Sequence, residues 1–178
     1  GEVVGMDASA QRIRHARGHY SSPGISFIQQ DIYSDLSFLG KFDFIWVRFF
    51  LQYHAQWAQH IVKQLFNLLS EGGILCLIDL DNNCTGHYQM PWRMEKAISD
   101  ILHSLAFYDD FDPYVGRKLY SYIYDAGLED IDVHLSAHHL LFGKLQKNEV
   151  YNWSKKLEVA VSRCNYSFPD YDNGFEEF

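Results

Sequence analysis

The strongest constraint on what this chain can fold into is a rhythm running from Glu2 to Asp81, in which short apolar runs end in charged residues and alternate with stretches of helical composition. Glu2–Asp7 is a β-branched run closing on an acid, and Ser9 then offers an N-cap to Ala10–His19, whose composition suits a helix. Ser22–Gly24 carries turn chemistry, after which Ile25–Gln30 alternates apolar and polar side chains before Asp31. Phe42–Val47 (FDFIWV) is the near-continuous apolar run that a parallel strand buried on both faces requires, and it ends near Arg48. Between Ala55 and Leu69 the apolar residues Ile61, Val62, Leu65, Phe66, Leu68 and Leu69 recur at helical spacing, until Glu71-Gly72-Gly73 stops the pattern and Ile74–Leu80 (ILCLIDL) begins a fourth strand. Parallel pairing needs a crossover long enough to return the chain, so strands separated by helices predict an α/β fold with a mostly parallel, helix-flanked sheet.

After Asp81 the rhythm changes. Asn82–Pro91 reads as a polar loop, and Trp92–Phe107 as an amphipathic helix with Met94, Ala97, Ile98, Ile101, Leu102 and Leu105 turned inward. Residues 82–113 are therefore expected to form a helical insertion on the substrate side of a binding cleft. A helix over about Val115–Ala126 is ended by Gly127, Leu128–Leu135 (LEDIDVHL) alternates as a strand, and Asn148–Arg163 reads as a further helix. The tail from Asn165 onward has no clear period. With no internal repeat and no low-complexity linker, residues 1–178 are read as one domain.

Composition narrows the function classes. An apolar fraction of 47% is ample for a hydrophobic core, which argues against disorder. A formal charge of −8 opposes a phosphate-tracking surface, so no nucleic acid is expected and a small-molecule substrate is favoured. Cys76, Cys84 and Cys164 are too far apart for a Cys-x-x-Cys site and leave an odd thiol in any disulfide scheme, which fits a reducing, cytoplasmic setting. No apolar run approaches the roughly 20 residues that span a bilayer, and no secretion-signal pattern opens the sequence, so no membrane partner is expected.

In open parallel sheets ligands bind beyond the carboxyl ends of the strands, which directs attention to Asp7, Asp31, Arg48 and Asp79–Asp81. Asp7 is placed to accept both hydroxyls of an unphosphorylated ribose, although strand-terminal acids also serve only to cap the next turn. His54 follows the strand ending at Val47 and titrates near neutrality, which makes it the candidate general base. The competing reading is a histidine that packs at a helix start. His87, Tyr88 and Trp92 are candidates for substrate contact, against ordinary loop packing. His134, His138 and His139 make no compact ligand set, so no metal site is read. The aromatic residues from Phe107 to Tyr124 read as core and helix contacts rather than as a substrate cage.

Taken together, VVGMDAS, FIQQDI, KFDFIWVRFFLQYH and LFNLLSEGGILCLIDLD resemble, in order and spacing, the class I S-adenosylmethionine-dependent methyltransferases, whose domain is Rossmann-like. The resemblance covers roughly Val3–Asp81, and YVGRKLYSYIYDAGLEDIDVHL looks like the helix and strand that follow the insertion in these enzymes. Gly72-Gly73 stands at the family's Pro-Gly-Gly turn, with Glu71 replacing the proline. The resemblance implies that Asp7 binds the ribose hydroxyls and Ala8 packs beside the adenine. It further implies that Asp31 accepts from the adenine amino group, Ile32 supplies a backbone N–H and an apolar contact, and Arg48 and Phe49 line the cleft near the methionine part of the cofactor.

The implied activity is methyl transfer from S-adenosylmethionine to an O, N or C atom of a small-molecule acceptor. The alternatives are a catalytically degenerate methyltransferase-like domain that binds a protein partner and, more distantly, a nicotinamide-dependent oxidoreductase, where an acid after the second strand also serves ribose. The family's first strand and its glycine-rich turn have no counterpart before Val3, and its final strand has none after Asn165. The expectation is therefore a domain incomplete at both termini, part of a longer protein. The edge of the strand carrying Asp7 should then be paired by residues outside this sequence or by a second copy in a homodimer.

Overall fold

In a computed structural model, which describes residues 1–82, 88–137 and 143–178, the chain begins with two parallel crossovers. Strand β1 (Val3–Asp7) leads through helix α1 (Ala10–Tyr20) to β2 (Ile25–Gln29), and the strands pair in parallel from Val3 opposite Ile25 to Asp7 opposite Gln29. Ser9 caps α1 by accepting from the Arg12 N–H, and Ile13 is the helix's buried residue. The second crossover runs from β3 (Phe42–Arg48) through helix α2 (Ala58–Phe66) to β4 (Leu69–Ile78), again parallel. Among the described residues β1 pairs only with β2, and β3 only with β4.

What makes one body of the two pairs is a shared core. Ala58, Ile61, Val62 and Leu65 line the buried face of α2, and Met6 of β1, Ile45 and Val47 of β3, and Leu75 and Leu77 of β4 pack on the same cluster. Ile32 and Leu36, which follow β2, belong to it as well. The Gln64 side chain adds polar ties by donating to the carbonyls of Ile32 (3.3 Å) and Ser34 (2.7 Å).

Beyond β4 come α3 (Trp92–Tyr108), α4 (Leu119–Asp125) and α5 (Lys147–Cys164). Gln146 and Glu149 form a capping box that starts α5, and Asn165 ends it in the left-handed region. A second core joins Ala97, Ile101 and Leu105 of α3 to Phe111, to Ala160 and Val161 of α5, and to Phe168 and Tyr171 of the tail. The tail that shows no period in the sequence is thus held by aromatic packing, with the ring of Phe168 5.6 Å from Phe175 and 5.1 Å from Phe178.

Several expectations need correction. Leu128–Leu135 is not a strand, for its alternation meets no partner among the described strands, and Val133 and Leu135 are exposed. Val115–Ala126 divides into a 3-10 turn at Val115–Lys118 and the short α4. Helix α2 is shorter than the Ala55–Leu69 pattern because a turn closed by the Trp57 N–H on His54 O precedes it and Leu69 already belongs to β4. Ser70–Gly73 is a register irregularity within β4, made possible by Gly72 at φ +73°, where a side chain would strain the backbone. The apolar run of β3 is buried on one face only, since Phe44 and Trp46 are 52% and 61% exposed.

Gly116 is required for a different reason. Its N–H donates to Leu80 O at 2.8 Å, and a Cβ there would stand 2.7–2.8 Å from backbone atoms of Leu80 and Asp81. The end of β4 and the 3-10 turn can approach this closely only without a side chain. Gly116→Ala should therefore lower unfolding stability by about 1–3 kcal/mol in urea titrations. Gly18→Ala in α1, where nothing lies within 4 Å, should raise it by about 0.5–1 kcal/mol. Equal effects at the two positions would contradict the close approach.

Candidate active site

At the carboxyl end of β1 the Asp7 side chain is one-third exposed. Its Oδ1 accepts from the Ser9 N–H at 2.7 Å and its Oδ2 from Arg12 Nη1 at 3.3 Å, so Asp7 caps its own turn while still facing solvent. Arg12 is largely exposed, and such a pair adds little stability. Ala8 is exposed, and its carbonyl accepts from Gln29 Nε2 at 3.2 Å. One strand over, Asp31 accepts from the Tyr33 N–H at 3.0 Å and is exposed. The two acids close adjacent parallel strands, with the Gln30 N–H donating to Asp7 O at 3.1 Å between them. The Ile32 side chain is turned into the core, so any cofactor contact there falls to its backbone.

Arg48 lies with its guanidinium 4.3 Å from the centre of the Phe49 ring. Phe49 has φ +52°, a left-handed conformation that is uncommon and costly for a bulky residue, of order 1–3 kcal/mol, and is kept only where surrounding structure enforces it. Here the enforcement is visible: the Phe49 N–H donates to Ile78 O at 2.8 Å, and Asp79 Oδ2 accepts from both Phe50 N–H and Gln52 N–H at 3.2 Å. Burial pushes the Asp79 carboxyl above the usual range, while backbone donors from Leu80, Gln52, Phe50 and Leu51 work against that. Asp79 stands among the strand-end residues of the sequence, but its task as the clamp of the turn after β3 was not legible there.

His54 meets a partner that sequence reasoning missed. Its Nδ1 lies 2.5 Å from Tyr33 Oη, which joins the turn after β2 to the turn after β3. Phe50 and Trp57 enclose the pair, with ring centres 4.3 Å from His54 and 5.8 Å from Tyr33 respectively. Burial lowers the His54 pKa from its ordinary value, and Asp110 and Asp31 oppose that shift. Asp110 is brought here by backbone ties, accepting from Ala55 N–H (3.0 Å) through its carbonyl and from Gln56 N–H (2.9 Å) through Oδ1. No spacing rule connects residues 33, 54 and 110; only the folded turns do.

Tyr88 is 91% exposed and Trp92 is 69% exposed at the start of α3, so neither packs as the loop reading supposed. His87, Cys84, His138 and His139 lie outside the described residues, and His134 is exposed. Among the described residues no three His, Cys, Asp or Glu side chains gather as a metal set. No helix among them is long and apolar enough to cross a membrane.

With this geometry in place, comparison with known families finds a likeness in the first part of the chain. Residues 1–73 match the family model described as a methyltransferase domain. No curated protein matches the chain. The matched segment contains β1, β2, β3 and α2, and with them Asp7, Ala8, Asp31, Ile32, Arg48, Phe49 and His54; Asp79, α3 and α5 lie beyond the match.

The electrostatics of His54 generate a titration test. With its pKa depressed, the folded chain holds the imidazole neutral at a pH where the unfolded chain takes up a proton, so acidification below about 6.5 works against folding. NMR titration of the ring protons should give a His54 midpoint below about 6.5. Asp110→Asn, which keeps an oxygen for the Gln56 N–H but removes the charge favouring imidazolium, should move that midpoint further down. An upward movement would contradict the assigned environment.

Proposed function

We propose that this protein transfers a methyl group from S-adenosylmethionine to an O, N or C atom of a small-molecule acceptor. The observation that carries the reading is the placement of Asp7 and Asp31 at the ends of adjacent parallel strands within the matched methyltransferase segment. The donor set fits the nucleoside half of the cofactor. Asp7 offers a one-third-exposed carboxylate to the ribose hydroxyls, Asp31 an exposed one to the adenine amino group, and Ala8 a small exposed surface beside the ring. Arg48 and Phe49, held by the Asp79 clamp, face the methionine half.

The bound sulfonium supplies an electrophilic methyl carbon, its C–S bond breaking with the electron pair left on sulfur as the acceptor atom attacks. The protein's part is to align the acceptor and exclude water. Where the acceptor carries a proton, His54 receives it. With a hydrogen on Nδ1, the imidazole donates to Tyr33 Oη and presents Nε2 as the acceptor, and its depressed pKa keeps it neutral for that task. Tyr33 thereby positions the base.

The unjoined edges of β1 and β3 belong to the same proposal. Parallel sheet edges carry rows of backbone donors and acceptors that need pairing. A strand supplied by a second copy would satisfy such an edge.

Calorimetric titration of the full protein with S-adenosylmethionine and with NAD tests the reading. The first should bind and the second should not. Asp7→Ala should weaken S-adenosylmethionine binding at least tenfold, in line with about 1.5–3 kcal/mol for hydrogen bonds to a charged group. Circular dichroism must show the variant folded, because Asp7 also caps the Ser9 turn. An intact protein that binds no S-adenosylmethionine removes the proposed activity, and wild-type affinity in the variant removes the role of Asp7.

A further inference from the structure

Helices α3 and α5 pack together without closing, and between them, over the C-terminal segment, lies a cavity of about 1110 Å³. Its walls are apolar, with Met94, Leu102 and Leu105 from α3, Trp153 and Leu157 from α5, and Phe178 from the tail. The volume stands at the top of the range of about 300–1,000 Å³ for small-molecule sites. It suits a long chain or a fused-ring body. Met90 and Met94, on its α3 side, have the flexible, polarizable side chains that accommodate varied apolar shapes.

Charge at the rim decides the polarity of the guest. Arg163 Nη1 pairs with Asp109 at 2.8 Å, and Lys155 Nζ with Glu158 at 2.5 Å. These four ions are paired with one another, Lys156 lies 5.2 Å over the Trp153 ring, and the lining adds one further acid, Glu176; against walls that are otherwise apolar, a charged ligand loses hydration and gains a counter-ion only by displacing one of these arrangements.

Position ties the cavity to the chemistry. Its lining includes Tyr53, Asp109 and Phe111, whose chain neighbours are His54, which pairs with Tyr33, and Asp110, which acts electrostatically on His54. The rings of Tyr53 and Phe111 lie 5.5 Å apart. Burial pushes the Tyr53 phenol up, and Arg163, Asp79 and Arg12 also act on it, Arg12 being the residue that pairs with Asp7.

We infer that this cavity is the acceptor pocket, and that the acceptor is an uncharged, elongated apolar small molecule whose methyl-accepting atom stands at the Tyr53 end. The inference rests on the methyl-transfer reading for its purpose, but the pocket can be tested without it.

The probe is N-phenyl-1-naphthylamine, a neutral dye that brightens in apolar surroundings, titrated into the full protein and displaced by competitors. Binding should be saturable. Decan-1-ol should displace the dye at concentrations at least tenfold lower than either decanoate or decyltrimethylammonium. Ala160→Trp, which fills the space beside α3, should weaken dye binding at least tenfold. Because that variant alters a packed position, the competitor series on the wild type stands as an independent readout. Absence of saturable binding, equal displacement by the charged competitors, or undiminished binding in a folded Ala160→Trp protein would each overturn the inference. Asp7→Ala should bind the dye as the wild type does. If the wild type binds dye but no S-adenosylmethionine, the methyl-transfer reading fails while the pocket stands; if it binds S-adenosylmethionine but no dye, the pocket alone fails.

Discussion

Burial of one face of α2 is the interaction on which the rest of this structure leans. Among the described residues the β1–β2 and β3–β4 pairs share no strand ladder, so backbone hydrogen bonding does not hold them in a common frame. Side-chain packing does. Ile61 and Val62 are fully buried and Leu65 nearly so, each contributing up to about 1.5–3 kcal/mol, and the cluster they anchor takes in residues from three of the four strands. The relative position of Asp7 and Asp31 on one pair, and Arg48 and Asp79 on the other, is therefore set through a helix that carries none of the candidate chemistry.

The constraint also explains the uneven burial of the sheet. In β3, Ile45 and Val47 face α2 and are partly covered, whereas Phe44 and Trp46 point to the opposite face and stay exposed, as do Ile74 and Ile78 of β4. A parallel sheet composed to be apolar on both faces is covered here on only one. The bare face and the unpaired edges have the same character: both are surfaces that the composition of β3 and β4 prepares for burial.

Much of this architecture was legible because its causes are local. The acid-terminated run at Val3–Asp7 and the Ser9 cap each state a backbone preference within a few residues, and the observed elements follow them closely, whereas Gly72-Gly73 falls inside β4 as a register irregularity instead of preceding the strand. Leu128–Leu135 shows where such reasoning stops, since alternation describes a side-chain pattern but a strand exists only with a partner. The candidate site was legible to the same degree. Asp7, Asp31 and Arg48 could be found from strand ends alone. Tyr33, Asp79 and Asp110 act through contacts made by turns distant in sequence, and Ile32, adjacent to a strand-end acid, proves to be a core residue.

Several of the candidate residues meet at one location, the seam between the two cores. Residues 52–56 and 110–112 are stitched by backbone bonds, Asp112 N–H to Gln52 O at 2.8 Å and Ala55 N–H to Asp110 O at 3.0 Å. On this seam Tyr53 and Phe111 turn toward the helical cavity, while His54 and Asp110 turn toward Tyr33. Chain geometry thus interleaves the two surfaces residue by residue, and neither can shift without the other. Phe49 and Asp79 restrain the same segment from the sheet side, holding the turn after β3 in a conformation that its own residues would not choose. A turn strained into place by β4, packed on one side against the strand ends and on the other against the second core, brings groups from both cores within one peptide of each other; this is how a sheet without a complete ladder can still hold the candidate site in order.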